Sequence, residues 1–194
     1  MEADLPIEDR DSFSVRSMLD EDTGDRYVEE SYLDYKLRLT PNEAAKRAAE
    51  IFRAAGISES CAGLIHILVF EGNKGFGNKP NKAAVKKAVS MVGFLIASMK
   101  PLEEGLHVGY GFKFMKQEVI SVVEFTLGEE KHNLRIEDAR NHAKYLFECA
   151  EAVQSDRFLH RFLVNHSDLE VEHVQRLLAD FALFRQQELL EGLL

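Results

Sequence analysis

The spacing of the apolar residues changes along this chain, and the change limits the folds that it can adopt. Apolar and polar residues alternate over 31–39 and 106–114, as in half-buried strands. From about Asn133 onward the apolar residues recur at helical spacing. We therefore expect an α+β fold with a small, mostly antiparallel sheet, a buried helical layer and a C-terminal three-helix unit.

Local signals predict where the first helices begin and end. Thr40, Pro41 and Glu43 supply an N-cap, a first helical residue and the acid of a capping box. Gly56 can take the left-handed conformation that ends a helix. Residues 58–71 are apolar all round, so a second helix and a buried strand both fit them.

Three further elements follow from the same reasoning. A helix is expected from Lys82 to Met99, and its apolar second half predicts a central buried helix. Strand 106–114 carries glycines on one face, which suggests that another backbone or a ligand comes close there, and 119–127 reads as its returning strand. Ser167 to Glu170 resembles a second capping box.

The acidic residues are concentrated at the start of the chain. Residues 1–34 contain twelve acids and three arginines, a net charge of −9 that equals the charge of the whole chain. A segment with this charge density does not fold alone, so we expect a flexible segment at 1–26, an α+β core at 27–130 and a helical unit at 131–194.

Four apolar residues interrupt the acidic segment: Phe13, Val15, Met18 and Leu19. Such residues can anchor a disordered segment in a partner's groove while the acids steer it towards a basic rim. The alternative interpretation is a solubilising tail. A further hypothesis is that the segment folds back over the chain's own lysines.

A lysine-rich stretch contrasts with this acidity. Residues 72–100 hold six lysines and no acid. Glycines, a helix start and an aromatic ring in the same stretch suit a polyanion, above all nucleic acid. The predicted polyanion-binding residues are Lys74, Gly75, Phe76, Gly77, Lys79, Lys82, Lys86 and Lys87. The alternatives are a solvated rim and a small phosphorylated ligand, and neither phosphate-loop motif is present.

Motifs for catalysis or metal binding are lacking. Cys61 and Cys149 lie far apart, and no serine sits in a nucleophile motif. Glu170 and His173 form a single Glu-x-x-His pair, whereas a di-iron bundle needs two. His66 lies in an apolar run and reads as a core histidine, and the other histidines read as surface residues. We expect no metal, no cofactor and no catalytic residue.

The last helices combine broad apolar faces with arginines, and the chain ends in apolar residues. They can pack within the monomer or form a homodimer seam. We expect a non-enzymatic binding or adaptor protein with a protein partner and a polyanion. The alternatives are an enzyme acting on a phosphorylated small molecule and a purely protein-binding inhibitor or immunity-type protein.

The location is expected to be cytoplasmic, or the host cytosol or nucleus. The acidic start of the chain lacks a signal peptide's basic and apolar regions. No uninterrupted apolar run approaches the roughly 20 residues of a membrane span.

Overall fold

Two three-stranded antiparallel sheets and four helices form the described part of the chain. The computed structural model describes residues 13–20, 24–32, 35–71, 82–97, 108–115, 118–127 and 130–191. The strands are β1 (Phe13–Leu19), β2 (Arg26–Tyr32), β3 (Tyr35–Leu39), β4 (Val108–Met115), β5 (Glu118–Leu127) and β6 (Glu130–Arg135). The helices are α1 (Pro41–His66), α2 (Lys82–Ala97), α3 (Ile136–His166) and α4 (Val171–Glu191), and a π-helical segment (Ile67–Glu71) continues α1. The α+β expectation is confirmed.

Each sheet is a simple meander that leads directly into a long helix. The N-terminal sheet has the strand order β1-β2-β3 and is followed by α1. The central sheet has the order β4-β5-β6 and is followed by α3. The chain therefore repeats one arrangement, three antiparallel strands and a helix, although no sequence repeat reveals it.

The main core lies where α1 and α3 pack against each other and against both sheets. Small residues on the two helices allow the close approach, since alanines fill much of the buried face of each helix. The core residues from the sheets are Phe13, Val28, Tyr32, Leu39, Val108, Val123, Phe125 and Leu134. Those from the helices are Ala44, Ala48, Ile51, Ala54, Ala55, Ile136, Ala139, Ala143, Leu146, Ala150 and Val153.

The capping box at the start of α1 is confirmed. Thr40 Oγ1 accepts a hydrogen bond from the Glu43 backbone N–H, and Glu43 accepts one from the Thr40 N–H at 2.8 Å. The predicted end at Gly56 is wrong, because α1 runs on to His66. A helix can pass through Gly56, and Ser58, Cys61 and Ile65 continue its buried face. Residues 58–71 are thus helical.

The helical stretch Pro41–Val69 is long and apolar enough to cross a membrane, and 39% of its most apolar window is buried. Core helices of soluble proteins pass the same test, so one such helix is weak evidence for a span. The buried Arg47 and the packing on both sheets favour a core helix.

Helix α2 is where it was expected, but its predicted central burial is wrong. Only Ala88 and Val92 are buried among its described side chains, and they pack in a second cluster with Cys61, Ile65 and Val69. Met91 is 48% exposed and Phe94 is 78% exposed. The apolar composition of α2 does not make it central, because one side of the helix contacts no other element in the described part of the chain.

The N-terminal sheet corrects two predictions. Residues 13–19 are not a free tail, because β1 pairs along its whole length with β2. The stretch 31–39 is not one strand, because β2 ends at Tyr32 and β3 begins at its partner Tyr35. Paired residues share a face, so the inward positions change from even numbers in β2 (Val28, Glu30, Tyr32) to odd numbers in β3 (Leu37, Leu39), and a single alternation over 31–39 does not hold.

The C-terminal part also differs from its prediction. Strand β6 precedes the helices, and residues 136–191 contain two long helices rather than three. Ser167 does not open a capping box. It caps the end of α3, where its N–H donates to the Leu163 carbonyl at 3.0 Å, and α4 begins only at Val171.

The capping box gives a direct test of the fold. Replacing Thr40 by alanine removes the acceptor for the Glu43 N–H, and we expect the free energy of unfolding to fall by about 1 kcal/mol. Urea denaturation followed by circular dichroism measures the change. Thr40→Ser keeps the hydroxyl and should stay near wild type. An alanine variant as stable as wild type would contradict the role of the cap.

Candidate binding site

Glu30 is a fully buried carboxylate that joins three elements. It lies on β2 and is 0% exposed, while Arg47 of α1 and His142 of α3 are 2% and 5% exposed. Arg47 Nε lies 2.5 Å from Glu30 Oε2, and His142 Nε2 lies 2.7 Å from Glu30 Oε1. We call these three residues the Glu30 centre.

The side-chain periodicities of β2, α1 and α3 place Glu30, Arg47 and His142 on buried faces that meet. Glu30 alternates with Val28 and Tyr32 on the inner face of β2. Arg47 lies among the buried alanines of α1, and His142 lies among those of α3. The ring of Phe125 supports both partners, 5.8 Å from the Arg47 guanidinium and 5.7 Å, edge to face, from the His142 ring.

The electrostatics of the centre keep Glu30 ionised. Burial alone raises the pKa of Glu30, but the His142 hydrogen bond and the Arg47 charge outweigh burial and hold that pKa below its ordinary value of 4.5. Because the carboxylate is ionised, His142 must donate through Nε2. Each carboxylate oxygen of Glu30 already has its own partner, so the Glu30 centre fits a structural role better than a role in proton transfer.

A groove runs beside this centre. His142 lines a cavity of about 340 Å³ together with residues of β1, β6 and α3. Its other lining residues are Phe13, Ser14, Val15, Leu134, Asp138 and Tyr145. The Ser14 hydroxyl hydrogen-bonds to the Ser31 hydroxyl at 2.7 Å, which engages it away from His142.

A second cavity lies where the β1–β2 connection meets α3 and α4. Arg26 at the start of β2 forms an ion pair with the buried Asp156 of α3 at 2.9 Å. Arg157 Nη2 donates to the Arg26 carbonyl at 2.8 Å. Gly24 has φ +70°, and a Cβ there would lie 3.0 Å from the Gln175 amide nitrogen of α4. These contacts fix the cavity's walls, and we call it the α3–α4 pocket.

Two apolar stripes are exposed at the C-terminal end. On α3, Phe158 is 67% exposed and Phe162 is 50% exposed, with their rings stacked 6.4 Å apart. On α4, Leu177, Phe181 and Phe184 are between 43% and 57% exposed. Residues three or four apart share a helix face, so each set forms a continuous stripe.

The predicted lysine site is only partly described. Lys74, Gly75, Phe76, Gly77 and Lys79 lie outside the described residues. Helix α2 begins at Lys82, and Lys86 and Lys87 are exposed on it. The polyanion site therefore stays a prediction.

The predicted partner anchors form part of the folded sheet. Phe13 is buried in the core and Val15 packs against it, so neither is a free anchor. Met18 is half-buried, Leu19 is 37% exposed, and their contact with a partner stays a prediction.

The glycines of β4 meet a side chain of their own sheet. The side chain of Glu124 on β5 lies 3.3–3.5 Å from the positions that Cβ atoms of Gly109 and Gly111 would take. The glycine face was expected to approach another backbone or a ligand, but in the described residues it is this side chain, with Val122 beside it, that comes close. Ser58 of α1 donates to the Gly111 carbonyl, which ties α1 to β4.

Sequence reasoning misjudged several charged residues and histidines. His132 and His142 are buried although they read as surface residues, and His66 is exposed although it reads as a core residue. Glu30 was counted with the solvated acids. The position of Glu30 between Val28 and Tyr32 in an alternating strand indicates burial. This indication is weaker than that of the many neighbouring acids, which points to exposure.

Comparison with protein-family models, curated proteins and solved structures finds no match to this chain. Within the residues that the structure describes, no group of three or more histidines, cysteines or acids is arranged to hold a metal ion. Cys61 and Cys149 are not joined in a disulfide, and burial raises the pKa of Cys61.

The Glu30 centre makes a strong prediction for stability. Glu30→Gln removes the charge and leaves Arg47 buried without its counter-ion, so we expect the free energy of unfolding at pH 7 to fall by about 3–5 kcal/mol. Urea denaturation measures the loss. Glu29→Gln on the same strand breaks only the exposed pair with Lys36, and should cost less than about 1 kcal/mol.

The pH dependence of the stability tests whether the charge of Glu30 causes this loss. A lowered folded-state pKa stabilises the fold above the ordinary value of 4.5, and this contribution is lost as the pH falls through the lower folded-state value. The difference between wild type and Glu30→Gln should therefore shrink as the pH falls below 4.5. A difference that stays constant from pH 7 to pH 3 would contradict an ionised Glu30.

Proposed function

We propose that this chain is a non-enzymatic binding protein that acts through contact with other polypeptide chains, and that the apolar stripes of α3 and α4 are its contact surface. The observation that carries the proposal is the exposure of stacked aromatic rings on a helix face that points away from the core. Exposed apolar patches of this kind mark interaction sites in soluble proteins.

The α3 stripe begins where the helix leaves the core. The last buried apolar residue of α3 is Val153, and Phe158 and Phe162 follow on the opposite face. The His166 ring continues the stack, 4.8 Å from the Phe162 ring. Aromatic side chains carry much of the binding energy in protein interfaces because each covers a large area with little rotamer entropy.

The α4 stripe lies beside the buried side of that helix. Val174 and Leu178 face inward and are 0% and 3% exposed. Leu177, Phe181 and Phe184 flank them, and Leu183 is 60% exposed. Among the described side chains of α4, at 171–184, fewer large apolar groups are buried than are left in solvent, so contact with a further chain would cover the larger part of this apolar surface.

The occupant that fits these stripes is a second copy of the chain. A two-fold contact needs a patch that complements itself. The exposed Arg161 on α3 and the exposed Glu172 and Asp180 on α4 carry opposite charges beside the stripes. Two antiparallel copies could pair α3 of one with α4 of the other, and apolar area from two helices suits the roughly 800 Å² per partner of a stable contact.

The oligomeric state tests this proposal. We expect sedimentation velocity at about 1–100 μM to show a dimer for wild type. The double variant Phe162→Ser and Phe181→Ser should be a folded monomer, because both residues are already exposed. The matched control is Phe52→Ser on α1, where the ring is 44% exposed, and it should remain dimeric. A wild type that stays monomeric at about 100 μM, or a double variant that still dimerises, would overturn the proposal.

Polyanion binding is a second candidate function, favoured by the charge of α2. Lys86 and Lys87 are exposed, and the helix carries no acidic residue to offset them. The stretch from 72 to 100 contains four further lysines and no acid. In a chain of net charge −9, such a cluster would attract phosphates locally against the overall repulsion.

Salt dependence tests the second function. Fluorescence anisotropy with a labelled single-stranded RNA at about 50 and 200 mM salt should show binding that weakens with salt. Replacing Lys86 and Lys87 by glutamate should lower the slope of log affinity against log salt by about 1.4 for two lost phosphate contacts. Lys144→Glu on α3 is the matched control. No binding by wild type at 50 mM salt would exclude this function.

A further inference from the structure

The α3–α4 pocket combines a cavity with an excess of positive groups. Its volume is about 200 Å³, enough for a small organic molecule rather than a few waters. Its lining residues are Leu19, Gly24, Asp25, Arg26, Asp156, Arg157, His160, Arg161, Gln175 and Leu178. It is separate from the Glu30 centre, and Arg161 at its edge directly precedes Phe162 of the α3 stripe.

The charges of the lining are not balanced. Arg26 and Asp156 neutralise each other at 2.9 Å, and Asp156 is fully buried, so this pair forms a fixed wall. Arg157 is held in place by its hydrogen bond to the Arg26 carbonyl and keeps further N–H donors. Counted together, the lining contains three arginines and two aspartates, so it carries one more positive than negative group.

His160 adds a polar atom that needs a partner. Its Nε2 is buried and has no hydrogen-bond partner among the described residues. A buried imidazole nitrogen without a partner costs free energy, so a group that bonds to it inside the pocket would stabilise the site. His160 lies one helical turn beyond Asp156, and Arg161 lies one turn beyond Arg157, so all four side chains reach the same region of α3.

We infer that the α3–α4 pocket binds a small organic monocarboxylate. Arg157 and Arg161 would hold the carboxylate by charge-assisted hydrogen bonds, with His160 Nε2–H as a further donor. Leu19 and Leu178 supply apolar wall for the hydrocarbon part of the ligand. A single excess positive charge matches a monoanion, whereas Asp25 and Asp156 disfavour a phosphate dianion.

Hydrogen bonds hold one wall of the pocket. At the described ends of the β1–β2 connection, the Asp20 N–H donates to the Asp25 carbonyl and the Gly24 N–H donates to the Asp20 carbonyl, both at 2.8 Å. Gly24 takes a positive φ and lies against Gln175, where a side chain would be strained. A wall fixed in advance lowers the entropy cost of binding.

Isothermal titration calorimetry of the full chain with benzoate tests the inference. We expect binding in the sub-millimolar to millimolar range, the scale for a ligand of this size. Benzamide has the same shape without the charge and should bind at least about tenfold more weakly. Inorganic phosphate at neutral pH should also bind more weakly than benzoate.

Two variants locate the site. Arg161→Gln and His160→Ala change residues outside the core and should each weaken benzoate binding by about tenfold or more. Arg140→Gln, an exposed arginine of the same helix paired with Glu59, is the matched control and should bind as wild type. Circular dichroism confirms that each variant is folded.

Three results would overturn the inference. Benzoate that does not bind at about 10 mM would exclude a carboxylate site of useful affinity. Equal binding of benzoate and benzamide would exclude recognition of the charge. Unchanged binding in both pocket variants would place any benzoate elsewhere. Because Arg161 also lies beside the α3 stripe, His160→Ala is the variant that tests the pocket independently of the dimer proposal.

Discussion

The ion pair between Glu30 and Arg47 is the interaction on which the arrangement of this chain depends. An ionised carboxylate without solvent costs several kcal/mol unless a cation and hydrogen bonds surround it. Arg47 comes from α1, and His142 comes from α3, 112 residues beyond Glu30 in the chain. The N-terminal sheet, α1 and α3 must therefore meet at one place for the charge to be tolerated. Apolar packing alone would accept small shifts between these elements, whereas the charged contacts fix their register.

This constraint also links the two similar halves of the fold. Each half is a three-stranded meander followed by a helix. The apolar face of each sheet is removed from water only when a helix packs against it. The two helices pack against each other, and the core draws on both sheets. Glu30 and Arg47 belong to the first half and His142 to the second, so neither half satisfies the centre alone. Cooperative folding of the two halves follows from this division.

Local signals in the sequence correctly predicted the elements whose formation depends only on neighbouring residues. Thr40 and Glu43 cap α1 because the cap needs only neighbours three residues apart, and the alternation over 106–114 and the β-branched residues over 119–127 were enough to predict β4 and β5. Tertiary contacts decided the rest. Gly56 ends a helix only if nothing beyond it packs, and here Ser58 and Ile65 do. Glu30 is buried because Arg47 and His142 surround it, and counting charges along the sequence does not predict these distant contacts.

α3 is longer than the core on which it packs, and its far end carries both proposed binding features. Thirty-one residues give a helix of about 46 Å, and its buried apolar residues end at Val153. The remaining turns carry Asp156, His160 and Phe162, which belong to the α3–α4 pocket and the α3 stripe. His160 and Phe162 lie outside the main core, so substitutions at these two residues change the proposed binding features with little cost to the fold. Asp156 is different, because it is fully buried in its ion pair with Arg26, and its substitution would destabilise the fold. The helix thereby joins both proposed binding features to the core that contains the Glu30 centre.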